Sequence, residues 1–120
     1  MLTRTAIYEG KILPGRDNEF FELVKTKLDP LWRQFPHVVA VRVLRLRQAD
    51  PEAPPIPMIL EMDFPSMEAI KEALDSPIRH KAHEATLEVL RLFEGRFYHL
   101  VSESRASDPM SPDDADRRRA

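Results

Sequence analysis

Residues 76–101, SPIRHKAHEATLEVLRLFEGRFYHLV, join a helix pattern to a strand pattern. Apolar side chains recur at spacings of four and three, which places them on one face of a helix that packs on a core. They are Ile78, Ala82, Ala85, Val89 and Leu92. Gly95 is typical of a helix end, and residues 96–101 have the aromatic and β-branched character of a strand. The stretch therefore predicts a capped helix that leads directly into a strand.

A second row of the same helix mixes imidazole with leucine. It comprises His80, His83, Leu87 and Leu90. Three environments fit this row, namely a pocket, a partner subunit and solvent, and the pattern alone does not choose among them.

Composition limits the classes of protein that fit. The 120 residues, 42% of them hydrophobic, suffice for one domain with a modest core. A net charge of -2 favours neither a nucleic acid nor an anionic membrane as partner. No apolar run is long enough for a membrane helix or a signal peptide, so we expect a soluble cytoplasmic protein. Without cysteine, only histidine and carboxylates remain as metal ligands.

The first half of the chain predicts a strand, a helix and a second strand. Residues 2–12 alternate as a strand, and Asp17 or Asn18 then caps a helix with apolar residues at helical spacing. Pro30 supplies no backbone donor, so we expect it to kink or interrupt this helix. Residues 37–47 alternate as the clearest strand of the chain, with valines on one face.

The second half repeats the pattern after a loop. Residues 48–57 contain four prolines and predict a surface loop, whereas residues 58–64 alternate as a third strand. Ser66 caps a helix through Leu74 whose apolar stripe is Met67, Ile70 and Leu74. We therefore expect a domain over residues 1–103 and a disordered polar tail over residues 104–120.

The order strand, helix, strand, strand, helix, strand predicts an α+β fold. A ferredoxin-like βαββαβ chain satisfies the rules for short, right-handed connections, with a four-stranded antiparallel sheet in the order 4-1-3-2. Helices cover one face of this sheet, and the other face carries too many apolar residues to remain in water. We therefore expect a homodimer whose two sheets face each other and form a dimeric α/β barrel.

Two stretches resemble a known family. Residues 66–77, SMEAIKEALDSP, and the helix ending LFEG at 92–95 resemble the C-terminal half of EthD-like proteins in the dimeric α/β-barrel superfamily. Residues 30–36, PLWRQFP, resemble the end of that family's first helix. The resemblance spans residues 2–103 and implies a homodimeric barrel that holds a small organic molecule, with cofactor-independent enzymes of catabolism or aromatic metabolism among its members. Members commonly carry a histidine where this chain has Leu28.

Arg42, Glu61 and Asp63 form the first candidate group. If the second and third strands are neighbours, all three side chains project from the face that the helices do not cover. A charge inside an apolar barrel needs a partner, so one interpretation is a structural arginine–carboxylate bridge. The other makes Arg42 and Asp63 catalytic and Glu61 substrate-binding, with the arginine holding an anion or phenol beside a carboxylate base.

His80 and His83 form the second candidate group. Their spacing places both rings on one helix face, as a metal pair requires, but no third ligand is indicated, so we predict no metal. We assign His83 to acid–base catalysis and His80 to substrate binding. Only three glycines are present and none forms a phosphate-binding loop, so we expect no nucleotide cofactor, and no other cofactor is indicated.

The remaining substrate-binding candidates supply apolar walls or phenolic hydroxyl groups. They are Tyr8, Phe20, Trp32, Leu87 and Tyr98. Tyr98 and His99 alternate, so only one of them can line the interior. Two functions therefore remain: a cofactor-independent oxidoreductase, monooxygenase or isomerase-like enzyme acting on a small organic substrate, and a non-catalytic dimeric binding or accessory protein.

Overall fold

Four strands and four helices make up most of residues 1–105, the part of the chain that the computed structural model describes. In chain order they are β1 (Leu2–Ile12), α1 (Asp17–Leu23), α2 (Asp29–Trp32), β2 (Ala40–Arg45), β3 (Met58–Phe64), α3 (Met67–Leu74), α4 (Pro77–Val89) and β4 (Phe93–Glu103). A π-helical turn, Val24–Leu28, joins α1 to α2, and a 3-10 turn, Leu90–Leu92, joins α4 to β4.

The strands form one antiparallel sheet in the order β2-β3-β1-β4. This order is the predicted 4-1-3-2 order read from the other edge, so the ferredoxin-like α+β fold is confirmed. Tyr8 of the central strand β1 lies opposite Met58 on one side and Phe97 on the other. Because directly opposed residues share a face of the sheet, this register decides which side chains meet the helices.

The core lies between the sheet and the helices. Alternate residues of β1 and β3 point into it and are almost completely buried. They are Ala6, Tyr8, Met58, Leu60, Met62 and Phe64. The helices meet them with their own buried side chains, among them Phe20, Val24, Trp32, Ile70, Ala82 and Val89. The opposite face of the sheet has no helix over it among residues 1–105.

The first helix tolerates Pro30. The chain remains helical through this residue to Trp32, because Pro30 lies in the first turn of α2, where a missing N–H group costs little. The helix is irregular before Pro30 rather than at it, in the π-helical turn Val24–Leu28. The wider winding of this turn buries both Val24 and Leu28. The helix is therefore not interrupted at Pro30 itself, and Trp32 enters the core from the continued helix.

Gly95 does not end the helix, contrary to the prediction. α4 ends at Val89, and β4 has already begun at Phe93. Gly95 lies opposite Gly10 with a φ of +154°, and a Cβ atom there would overlap the backbone oxygen of Glu9. The close approach of β1 and β4 therefore explains this glycine.

Two further predictions need correction. The second strand begins at Ala40 rather than at residue 37, because His37 adopts a positive φ of 65° that breaks the extended chain. α3 begins after the predicted cap, where the Ser66 hydroxyl group accepts a hydrogen bond from the Ala69 N–H group at 3.1 Å. Its stripe is shifted, however, because Ala69 is buried while Met67 is 58% exposed.

The predicted tail begins where the regular structure stops. β4 ends at Glu103, and residues 106–120 lie outside the described part, so the tail and the domain boundary stay predictions. None of the helices within residues 1–105 has the length and hydrophobicity needed to cross a membrane.

Candidate functional site

A cavity of about 150 Å³ lies between the sheet and α4. Half of its lining is polar or charged, and the other half is apolar. The polar residues are Arg4, Tyr8, Arg79, His83, Thr86 and His99. The apolar residues are Trp32, Phe35, Leu60, Met62, Ala82 and Phe97. This mixture, apolar walls with a few convergent polar groups, is typical of a small-molecule site.

Strand alternation and helix periodicity place these side chains in the lining of the cavity. Arg4 and Tyr8 occupy alternate positions of β1, and Phe97 lies directly opposite Tyr8 on β4. From α4, four lining residues follow the spacing i, i+3, i+4, i+7, which defines one helix face. They are Arg79, Ala82, His83 and Thr86. The spacing of residues within α4 therefore determines which of its faces lines the cavity.

Aromatic packing fixes one wall of the cavity. The rings of Tyr8 and Phe97 stack with centroids 5.5 Å apart, and the His99 ring meets Phe97 edge-on at 5.7 Å. Trp32 also lines the cavity, and it is only 4% exposed. Such contacts restrict ring motion, so this wall is already organised in the protein without ligand.

Two guanidinium groups dominate the charge of the cavity. Burial, and then the neighbouring charge of Arg79, lower the pKa of Arg4 from its ordinary value. Within residues 1–105, neither arginine forms a salt bridge with a carboxylate. No side-chain polar atom of these residues is both buried and without a hydrogen-bond partner, so both groups keep access to water or to the cavity.

His99 and Tyr8, beside these arginines, have pKa values that favour their neutral forms. Burial, followed by the charges of Arg4 and Arg79, lowers the pKa of His99 to about 4. Burial raises the pKa of Tyr8 to about 12, with Arg4 opposing it. At neutral pH the imidazole of His99 is therefore a free proton acceptor and the phenol of Tyr8 a hydrogen-bond donor.

Three of the site residues chosen from the sequence line this cavity, namely Tyr8, Trp32 and His83. The structure does not bring Phe20, His80 or Leu87 to it. Phe20 is completely buried in the core with its ring 6.1 Å from that of Phe93. His80 and Leu87 are exposed on the outer side of α4. The second helix row is therefore divided, because His83 lines the cavity and Leu90 packs against the core.

Arg42, Glu61 and Asp63 lie on the opposite face of the sheet. The guanidinium group of Arg42 donates hydrogen bonds to Glu61 at 2.9 Å and to Asp63 at 2.7 and 2.8 Å. Thr3 also donates to Asp63, at 2.7 Å. This arrangement is the arginine–carboxylate bridge that the sequence left as one interpretation. Because the sheet separates them, Arg42 and Asp63 do not meet the same substrate as His83.

Tyr98 lies on this face as well, opposite Ile7 and with the Arg96 guanidinium 5.1 Å from the centre of its ring. His99 therefore lines the cavity and Tyr98 does not, as their alternation required. Arg4 and Arg79 are the charged cavity residues that were not singled out from the sequence. The signals for both were present: Arg4 is four residues before Tyr8 on one strand, and Arg79 is four residues before His83 on one helix.

A metal ion has no evident site in the described part of the chain. Among residues 1–105, no three histidine, aspartate or glutamate side chains are grouped closely enough to hold one. His83 lines the cavity beside arginines and aromatic rings, and no carboxylate is part of that lining.

Comparison with known proteins identifies the fold. No protein-family model and no curated protein matches this sequence. Among solved structures, the chain is similar to an ethyl tert-butyl ether D (EthD) family protein from Bacillus halodurans, with 18% identity and a TM-score of 0.65 over 88% of this chain and 99% of the other. It is also similar to SnoaB, a cofactor-independent oxygenase from Streptomyces nogalater, with 17% identity and a TM-score of 0.63 over 91% and 97% of the two chains.

A third similar structure is a dimeric protein of unknown function with a ferredoxin-like fold from Bacteroides fragilis. Its identity to this chain is 10% and its TM-score 0.62, over 86% of this chain and 95% of the other. At identities this low, similarity of structure shows the fold alone. The chain therefore has a ferredoxin-like fold similar to that of the EthD family protein, in agreement with the fold that the resemblance of residues 2–103 implied.

Proposed function

We propose that the protein binds a small organic molecule in the cavity between the sheet and α4 and acts on it as a cofactor-independent enzyme. The observation that carries this proposal is the convergence of Arg4, Arg79 and His99 on a space walled by aromatic rings. The cavity of about 150 Å³ is half of the roughly 300 Å³ at which pockets for drug-sized ligands begin. The substrate is accordingly small, of the order of one substituted ring.

Proton abstraction is the chemistry that these groups support best. Neutral His99 takes a proton from an acidic C–H or O–H group of the substrate, and the resulting negative charge moves to a substrate oxygen. Arg4 and Arg79 stabilise that oxygen, and Tyr8 donates a hydrogen bond to it. The anion then regains a proton at another atom, which is an isomerisation, or reacts with dioxygen as co-substrate, which is an oxygenation.

Hydrogen exchange tests this proposal. Trp32 is the only tryptophan of the chain and lies in the cavity lining, so its fluorescence should report binding from a panel of single-ring ketones and phenols. Bound compounds are then incubated with the protein in D2O, and NMR follows exchange at the acidic position. We expect His99→Gln to slow exchange at least ~100-fold, the low end of general-base contributions, while the fluorescence response remains.

His80→Gln is the matched control, because His80 lies on the same domain but on the outer side of α4. It should leave the exchange rate unchanged. Exchange that survives in His99→Gln, or a ligand that leaves Trp32 fluorescence unaltered, would contradict the assigned site.

A non-catalytic binding protein is the second candidate function. The observation that favours it is Leu28, which is 1% exposed in the core at the position where EthD-like proteins commonly carry a histidine. A cavity of this kind can hold a ligand without turning it over. Compounds that change Trp32 fluorescence but show no protein-dependent exchange would favour this function.

We also propose that the protein is a homodimer assembled through the sheet face opposite the helices. Five large apolar or aromatic residues lie on that face and remain partly or fully exposed. They are Ile7, Leu44, Ile59, Tyr98 and Leu100. A contiguous apolar face of this kind is typical of an association surface, and one structural neighbour is a dimeric protein.

Two matched leucines test the dimer. Leu100 on the open sheet face is 52% exposed and Leu87 on the outer side of α4 is 54% exposed. Leu100→Glu should convert the dimer to a monomer in analytical ultracentrifugation, because it places an unpaired charge in the interface. Leu87→Glu should leave the dimer intact. A wild-type monomer at micromolar concentration, or equal effects of the two substitutions, would count against this interface.

A further inference from the structure

The two cavity arginines differ from five exposed arginines of the described chain, whose guanidinium groups each have a partner. Arg16, Arg33, Arg42 and Arg96 each hold a carboxylate at hydrogen-bonding distance, although all four are largely exposed. Arg45 lies 4.4 Å above the centre of the Phe21 ring. The half-buried pair, Arg4 and Arg79, has no such carboxylate within residues 1–105. Among the described residues, the two guanidinium groups for which pairing would matter most thus have no carboxylate partner.

The described residues that line the cavity around this pair include no carboxylate. The other titratable groups that line the cavity are Tyr8, His83 and His99, and none of them is a carboxylate. Arg79 also lies in the first turn of α4, a helix of 13 residues, where the helix dipole adds positive potential. Burial is the main cause of the lowered pKa of Arg4, and repulsion by the like charge of Arg79 lowers it further. An anion placed between them would relieve that repulsion.

We propose that the ligand of this cavity is a single-ring organic acid, whose carboxylate binds between Arg4 and Arg79 while its ring packs against Trp32 and Phe97. This inference rests on the proposed function, since it names the substrate class of the same cavity. Guanidinium groups match the planar, two-oxygen geometry of a carboxylate, which makes arginine the preferred residue for it. The aromatic half of the lining supplies the complementary surface for a ring.

Binding of the organic acid is also expected to make His99 a stronger base. The charges of Arg4 and Arg79 contribute to the low pKa of His99, after burial. A bound carboxylate neutralises part of those charges and so moves the pKa of His99 back towards its ordinary value. A base whose pKa approaches the working pH abstracts protons more effectively, so recognition and catalysis are linked through the same two arginines.

Benzoate and benzamide test this inference, because they have nearly the same shape and differ in charge. Each is titrated into the protein at constant ionic strength, with Trp32 fluorescence as the signal. Benzoate should bind at least tenfold more tightly than benzamide. Arg79→Gln should weaken benzoate binding at least tenfold, and it should leave the melting temperature of the free protein unchanged or raised, because it removes a repulsion. Arg91→Gln, at an exposed arginine after α4, is the matched control and should change neither quantity.

The outcomes separate the inference from the proposed function. Equal affinity for benzoate and benzamide would overturn the carboxylate assignment and leave the small-molecule site standing. Binding of neither compound would also overturn the carboxylate assignment. The proposed function is tested separately, by the panel of ketones and phenols. A lower melting temperature in Arg79→Gln with benzoate affinity retained would show that the arginines support the fold rather than a ligand.

Discussion

Replacing Gly95 with alanine should destabilise the protein by more than ~3 kcal/mol, at the upper end of single-substitution effects. Gly95 and Gly10 face each other across β1 and β4, and each has a φ near +150° that side chains rarely adopt. A Cβ atom at Gly95 would overlap the backbone of Glu9, and backbone cannot rotate away as a side chain can. Relief of the clash requires β1 and β4 to separate, and urea denaturation measures the loss of free energy of unfolding.

Gly15 provides the matched control. It has a φ of +75°, but a Cβ atom there would meet nothing within 4 Å. Gly15→Ala therefore carries only the cost of the left-handed backbone, about 1–2 kcal/mol. If Gly95→Ala cost no more than Gly15→Ala, the close approach of the two strands would be refuted. Since the same strand pair holds Tyr8 beside Phe97, the destabilised variant should also lose the cavity wall.

Replacing Arg42 with alanine should dissociate the dimer while ligand binding persists. In a single subunit Arg42 is 42% exposed, and an exposed ion pair contributes only ~0–1 kcal/mol. In the proposed dimer the open sheet face is covered, so loss of Arg42 leaves Glu61 and Asp63 buried without their cation. Breaking a buried pair costs about 3–5 kcal/mol, which corresponds to a rise of at least ~100-fold in the dimer dissociation constant. Sedimentation equilibrium measures this constant.

Arg33→Ala is the control for this prediction, because Arg33 forms an ion pair with Asp29 at 2.8 Å but lies away from the open face. It should leave the dimer constant unchanged. Trp32 fluorescence titration of Arg42→Ala should match that of the wild type. A variant that stays dimeric and loses ligand binding would instead make Arg42 a ligand-binding residue.

The same bridge predicts a pH dependence. Hydrogen bonds from Arg42 and Thr3 hold the pKa of Asp63 below its ordinary value, despite an opposing effect of burial. A carboxyl group with a lowered pKa in the folded state stabilises that state above its ordinary pKa of about 4, and the contribution is lost as the pH falls through the lowered value. The free energy of unfolding should therefore fall below pH ~4, and less so in Arg42→Ala, as measured by urea denaturation at a series of pH values.

Local patterns predicted the elements and their order. The alternation of residues 58–64 gave β3, and the Ser66 cap gave the start of α3, because both depend on neighbours in the chain. Gly95 was misinterpreted because the reason for it is Gly10, 85 residues away and known only once β1 pairs with β4. The Arg42–Asp63 bridge was foreseeable, since it required only that β2 and β3 be adjacent.

The site was predicted less completely than the fold. Trp32 and His83 line the cavity, but both were grouped from the sequence with residues from the other face of the sheet, and their roles stay predictions. Arg4 and Arg79 are 75 positions apart, and only the packing of α4 on β1 brings both to one cavity. A charged residue in an amphipathic strand or helix usually points to water, so the spacing of Arg4 from Tyr8 and of Arg79 from His83 was not enough to select these two.

The histidines of this chain offer the most direct test of the central claim, which is that the ligand binds between the sheet and α4. His83 and His99 line the cavity, whereas His37 and His80 are exposed elsewhere. NMR of the four imidazole C–H resonances, recorded with and without a saturating ligand found by Trp32 fluorescence, distinguishes the two pairs. We predict that the His83 and His99 resonances shift while those of His37 and His80 stay in place. Shifts confined to His37 or His80, with His83 and His99 unchanged, would contradict the assigned site.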